Sequence, residues 1–297
     1  MKYALLTALT MIAFASNSLL CRVALGEESI DAASFTSIRL ISGAAMLALL
    51  MLYRERDFSH KLFNLKQFNP VSVLMLYVYA ACFSFSYINL TVATGALILF
   101  GAVQLTMTGF AIAGGERYGL QTWAGIIIAF GGLVYLLLPG VSTPPLFSAL
   151  LMICAGAAWG IYTLRGRGSK APLLATGWNF IGTVPLALLT LLMFSSELQL
   201  TENGIILAIL SGALASGLGY ALWYSVLPHI TASSAATVQL SVPVIAAVLG
   251  LLMVGEPISL RLVIASMLVL GGIYLTIRAA ADTRKNPAQG KQILTRK

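Results

Sequence analysis

The chain has 297 residues, of which 59% are hydrophobic and only 9% charged, with a formal net charge of +8. A soluble domain carries roughly 25% charged residues, so a water-facing surface of this size could not be covered. The apolar runs are long and continuous rather than alternating, which excludes a transmembrane β-barrel and points to an all-α polytopic membrane protein. Lys and Arg fall between the apolar runs and in the tail, so the positive balance speaks for membrane orientation, not for nucleic acid. Cys21, Cys82 and Cys154 sit in or beside apolar runs with neither metal nor disulfide spacing. No metal or cofactor is expected.

Taken in chain order, ten transmembrane helices are predicted at 3–24, 32–53, 70–88, 92–113, 119–138, 146–164, 172–194, 204–226, 233–254 and 259–278. Their ends have local causes. Glu27, Glu28 and Asp31 stop the first run, and Arg54-Glu55-Arg56-Asp57 the second. Pro139, Pro144 and Pro145 separate the fifth from the sixth. Arg165, Arg167 and Lys170, mixed with glycine, end the sixth, and Pro228 and Glu256-Pro257 mark later turns. The opening MKYALLTALTMIAFAS also has the form of a short signal peptide with an Ala13-x-Ala15 site. Cleavage there would leave nine spans and break the repeat described next, which argues against it.

Residues 85–138 align with 225–278 without a gap. Thr91 falls on Thr231, Gly115-Glu116 on Gly255-Glu256, Leu120 on Leu260, and Gly131-Gly132 on Gly271-Gly272. Each half therefore holds five spans. Five is odd, so the second half enters the membrane from the opposite face, giving two five-helix repeats of inverted topology. The expected division is 1–140, 141–281 and a basic cytoplasmic tail at 282–297, where contact with anionic lipid is open. With the N-terminus inside, fifteen Lys and Arg lie on cytoplasmic segments against Arg22 and Arg261 outside. Both termini are thus expected in the cytoplasm.

Two halves whose fourth spans close on Gly-Glu and whose fifth carry Gly-Gly resemble the EamA-type drug/metabolite transporter superfamily over about residues 3–278. Trp159-Gly160, Arg39 and Pro243 match that family's Trp-Gly, second-span arginine and last-but-one-span proline. The first half departs from it, with Ala15-Ser16 in place of Trp-Gly and Val103 opposite Pro243. Unequal motion of the halves is therefore expected. The resemblance implies a secondary, alternating-access exporter or exchanger in the cell (inner) membrane. It moves a small organic metabolite such as an amino acid, nucleoside, sugar or amphipathic compound. A homodimer is compatible with it. An enzyme is not expected, because embedded acids and histidines are scarce. The rival is a non-transporting scaffold or lipid-binding subunit.

In an inverted repeat the substrate site lies near midplane between the halves. Asn17 shares a face of the first span with Thr10, Phe14 and Cys21, and Tyr79 and Phe83 share one in the third. Trp159 and Tyr162 do so in the sixth, and Tyr220 and Trp223 with Ser216 in the eighth. Gln104 and Gln239 lie within the fourth and ninth. A lipid-facing amide is costly, so Asn17, Gln104 and Gln239 are expected to point inward, to bond another helix or to line a solute cavity. The aromatics either pack or line that cavity.

Arg39 lies roughly 11 Å from the outer end of its helix. It either snorkels toward Asp31, Glu27 or Glu28, or anchors a substrate carboxylate. Glu116 and Glu256 cap the helices that follow them, or serve in gating or ion coupling. No Asp, Glu or His falls near midplane, which disfavours coupling through one buried carboxylate and recognition of a bare cation. A delocalised cation could still lie on the aromatic faces.

Overall fold

The computed structural model describes residues 2–54, 68–115, 118–140, 143–166, 169, 171–229, 235 and 238–285. The described chain is helical, with a single isolated β-bridge between Ile30 and Leu200. The helices are α1 (Lys2–Gly26), α2 (Ala32–Arg54), α3 (Pro70–Tyr87), α4 (Val92–Ala113) and α5 (Leu120–Leu137). They continue with α6 (Leu146–Gly166), α7 (Pro172–Met193), α8 (Glu202–Val226), α9 (Ser241–Val254) and α10 (Leu260–Lys285). Among the described residues nine are long and apolar enough to cross a membrane. The exception is α9, a shorter apolar helix. Half of the residues expected to begin its span, 233–240, lie outside the described set.

The helix starts follow local chemistry. Asp31 Oδ1 accepts the Ser34 amide at 2.8 Å, Asn69 Oδ1 that of Ser72 at 3.1 Å, and Thr201 Oγ1 that of Gly204 at 3.1 Å. Pro70 and Pro172 occupy first helical positions, where no N–H is needed. Gly115 and Gly255, which follow α4 and α9, both have positive φ, at 88° and 68°. A left-handed residue after the last turn ends a helix, and glycine adopts it without strain.

The molecule is built inside out relative to a soluble protein. Ile127, Phe130, Leu192, Leu252 and Met267 are exposed, whereas Thr10, Ser37, Ser84, Ser86 and Thr183 are buried. Such a surface suits lipid. Buried hydroxyls tie helices together: Ser37 Oγ donates to Ala187 O at 2.9 Å, and Ser86 Oγ to Ser148 O at 2.7 Å.

Helices α5 and α10 pack closely through glycine. A Cβ on Gly272 would lie 2.5 Å from Ala129 N and Gly125 O, and one on Gly132 would lie 2.9 Å from Val269 N. Gly131 and Gly271 would meet nothing within 4 Å. Only the second glycine of each pair therefore sets the approach.

Two helices depart from α geometry. Residues Leu210–Leu218 of α8 and Gly250–Val254 of α9 form π turns. Pro243 lies buried in the first turn of α9, just after a turn at Leu240. Its missing N–H costs nothing there. The aligned Val103 sits inside an unbroken α4.

Candidate functional site

Two adjoining cavities lie in the core. The deeper one, of about 30 Å³, is lined in part by Asn17, Ser18, Tyr79, Phe83 and Ser216. The larger, of about 200 Å³, is lined in part by Gln104, Tyr162, Thr163, Gly166, Trp223 and Leu227. Phe100, Trp159, Tyr220 and Gln239 line both. The larger cavity thus runs toward the end of the bundle where α6 and α8 terminate. The walls come from α1, α3 and α4 on one side and α6, α8 and the residues before α9 on the other.

Aromatic rings form a chain along these walls. Phe83 contacts Tyr79 (5.5 Å between centroids), Tyr79 contacts Trp159 (4.8 Å), and Trp159 stacks on Tyr220 (5.1 Å) and on Tyr162 (5.4 Å). Phe14 bridges Tyr220 and Trp223 by edge contacts. The helical spacing of Phe14, Asn17 and Cys21 puts Phe14 and Asn17 on the chamber side of α1. Offset and edge contacts of this kind stabilise each pair by about 0.5–1.5 kcal/mol.

The three amides behave differently. Asn17 is 6% exposed, and its Oδ1 accepts from Ser211 Oγ at 2.6 Å. It therefore joins α1 to α8 while lining the deep chamber. Gln104 and Gln239 are half-buried, and neither side chain hydrogen-bonds another described residue.

Arg39 does not snorkel. It is 2% exposed, with Nη2 donating to Tyr79 Oη at 3.1 Å and Nε to Ser216 Oγ at 3.4 Å. The guanidinium lies over the rings of Phe83 (4.7 Å) and Tyr79 (5.2 Å). Nη1 has no partner. Asp31, a proposed outward partner, is used elsewhere: Oδ1 caps α2 and Oδ2 accepts the Gln199 amide at 3.0 Å. The π stretch of α8 supplies both Ser211 to Asn17 and Ser216 to Arg39. A widened turn of this type recurs at functional sites.

The opposite end of the bundle is tied shut. Arg22 Nε donates to Glu256 Oε1 at 3.0 Å, and Arg22 Nη1 to Ile88 O at 2.8 Å. Glu256 Oε2 accepts the Val92 amide at 2.7 Å. Glu256 therefore caps α4, not the helix that follows it. Nearby, Thr201 N donates to Ser29 O at 3.0 Å and Asp31 N to Gln199 O at 3.0 Å, joining the α1–α2 and α7–α8 loops.

All ten sequence-selected candidates fall on this one region: nine line a cavity and Arg39 sits behind the wall. Of the three structural or gating candidates, Glu256 joins an ion pair and Pro243 lines neither cavity. Glu116 lies outside the described residues. Sequence reasoning missed Phe100, which carries no distinguishing signal in an apolar run. It also missed Arg22 as the partner of Glu256. The available clue was two opposite charges placed on the same membrane face of a charge-poor chain.

The sequence model of the EamA-like transporter family matches residues 146–278. An uncharacterized Pseudomonas aeruginosa protein is 52% identical over 273 residues, covering 92% of this chain and 93% of that one. An uncharacterized transporter of Archaeoglobus fulgidus is 24% identical over 288 residues, covering 92% and 96%. The chain belongs to the EamA-like transporter family. A crystal structure of another protein matches this EamA-like chain with a TM-score of 0.61 at 17% identity, covering 90% of this chain and 95% of that one. That likeness concerns the fold alone. Membership makes the protein a membrane transporter, in keeping with its apolar helices.

Proposed function

We propose that this EamA-like protein is a secondary transporter, not an enzyme, that exports or exchanges a small organic metabolite by alternating access. In this reading ten transmembrane helices form two halves of opposite orientation, 1–140 and 141–281, with both termini and the 282–297 tail in the cytoplasm. The repeat is supported by the matching positive-φ glycines Gly115 and Gly255 and by Gly132 and Gly272, each of which meets the opposite helix of the α5–α10 pair. The family match beginning at residue 146 supports a second half with its own start.

The observation that carries the proposal is the asymmetry of the central cavity. It is lined from both halves and reaches one end, while Arg22–Glu256 and the loop bonds close the other. The distribution of Lys and Arg supports a cytoplasmic open end. The substrate-binding residues in this reading are Asn17, Tyr79, Phe83, Gln104, Trp159, Tyr162, Tyr220, Trp223 and Gln239, with Arg39 acting from behind the wall. Solute enters from the cytoplasm, binds across the aromatic wall, and release outward requires Glu256 to part from Arg22 and Val92.

The test is cysteine accessibility in inside-out vesicles, with Cys21, Cys82 and Cys154 first replaced. Gln104→Cys and Tyr220→Cys should react with a membrane-impermeant maleimide, and the reaction should slow when a transported solute is present. A metabolite panel in proteoliposome counterflow should identify that solute. Sealed cysteines together with absence of counterflow for every solute would instead support a scaffold.

A further inference from the structure

We infer that the deep chamber selects a single negative charge, so that the transported solute is an aromatic monocarboxylate with no amino group. The inference rests on the transport reading above and assigns its substrate class. Arg39 is a permanent cation, 2% exposed, and none of its contacts is an acid. Tyr79 and Ser216, which accept its hydrogen bonds, are themselves walls of the chamber. One guanidinium nitrogen, Nη1, has no hydrogen-bond partner among the described residues. A buried charge without a counter-ion is expensive, and two ring faces and two hydroxyls compensate only part of it. An anion in the adjoining chamber completes the set.

The same geometry decides against other solutes. A cation would find suitable ring faces on Trp159 and Tyr220, but it would sit beside a positive charge in a low-dielectric interior. Asp31 and Glu256 are committed elsewhere, Asp31 to α2 and the Gln199 amide, and Glu256 to Arg22 and Val92. A dianion such as a phosphate monoester would leave its second charge unpaired, because a single guanidinium, that of Arg39, stands behind Tyr79 and Ser216 of the chamber wall. The shape agrees. The deep chamber, at about 30 Å³, takes a head group and little more. The larger, at about 200 Å³, takes a planar body between Trp159, Tyr162 and Tyr220. Asn17 and Ser18 offer the second oxygen of a carboxylate polar contact.

The experiment uses the full chain, purified and reconstituted, and four probes of one skeleton: phenylacetate, 2-phenylethanol, 2-phenylethylamine and phenylalanine. Binding is read by intrinsic tryptophan fluorescence, since Trp159 and Trp223 line the site. Transport is read by counterflow. Phenylacetate should bind about 10- to 100-fold more tightly than the alcohol, the range expected for hydrogen bonds to a charged group. It should also outrank the amine and the zwitterion. Arg39→Gln should erase the preference for phenylacetate over the alcohol, and Arg39→Lys should keep part of it. Because the probe series is decisive in the unsubstituted protein, a variant that does not fold leaves the test intact. Equal binding of acid and alcohol, tighter binding of phenylalanine, or a preference that survives Arg39→Gln would each overturn the inference. Counterflow of any of these solutes without charge preference would do so while leaving the transport reading standing.

Discussion

One carboxylate, that of Glu256, holds two distant parts of the chain: its Oε1 accepts Arg22 Nε at 3.0 Å and its Oε2 accepts the Val92 amide at 2.7 Å. The first contact is an ion pair between α1 and the turn after α9. The second supplies the start of α4 with a negative charge at its positive end. Parting them costs both at once.

Glu256→Gln should therefore loosen the closed end without destroying it, because an amide oxygen still accepts the Val92 N–H. The loss of charge removes about 1.5–3 kcal/mol from the closed state, roughly a tenfold or larger shift in its population. Ser18→Cys, in a background without native cysteines, should gain reactivity toward an impermeant maleimide added outside. Exchanging the charges, Arg22→Glu with Glu256→Arg, should restore part of the protection. Unchanged labelling in Glu256→Gln would remove the pair from the gate.

The glycine pairs give a contrast within two residues. Gly272→Ala places a methyl group 2.5 Å from Ala129 N and Gly125 O, both backbone atoms that cannot step aside. Overpacking of this kind costs about 1–3 kcal/mol. Gly271→Ala meets nothing within 4 Å and should be silent or slightly stabilising. Thermal unfolding in detergent, followed by tryptophan fluorescence, separates the two.

The amides should divide in the same assay. Asn17→Ala breaks the bond from Ser211 and should lower stability by about 1 kcal/mol or more, along with solute binding. Gln104→Ala removes no bond to a described residue, so its Tm should hold while the KM for the transported solute rises. A stability loss for Gln104→Ala equal to that of Asn17→Ala would contradict the division.

Trp159 touches Tyr79, Tyr162 and Tyr220 and borders both chambers. Trp159→Ala merges them and should weaken solute binding about tenfold or more, whereas Trp159→Phe should keep much of it. Equilibrium binding by calorimetry measures both.

Much of this was legible in the sequence because the bilayer leaves few choices. Apolar runs become helices, and the limits of α1 to α8 fall within two residues of the predicted spans, whereas α10 runs on to Lys285, seven residues past the predicted end. The inward faces were legible for the same reason: Asn17, Gln104 and Gln239 had no favourable position in lipid. Arg39 was harder. Its distance from the outer end allowed an outward reach, and only the three-dimensional surroundings exclude it, since Tyr79, Phe83 and Ser216 arrive from two other helices. The same limit hid the true partner of Glu256. A carboxylate before a helix suggests its own cap, whereas Val92 and Arg22 are far off in the sequence. The π turns of α8 were not foreseeable from periodicity, because a single wide turn shifts the pattern by one residue only.

Those wide turns have a mechanical consequence. Between Leu210 and Leu218 the backbone holds a spare residue, and returning one turn to α geometry would advance the rest of α8 by about 1.5 Å and swing it by about 100°. Ser216 would leave the guanidinium as it turned. Re-threading of this sort needs no broken helix, only slack already wound into it, and here the slack lies beside Arg39, the cation behind the solute wall.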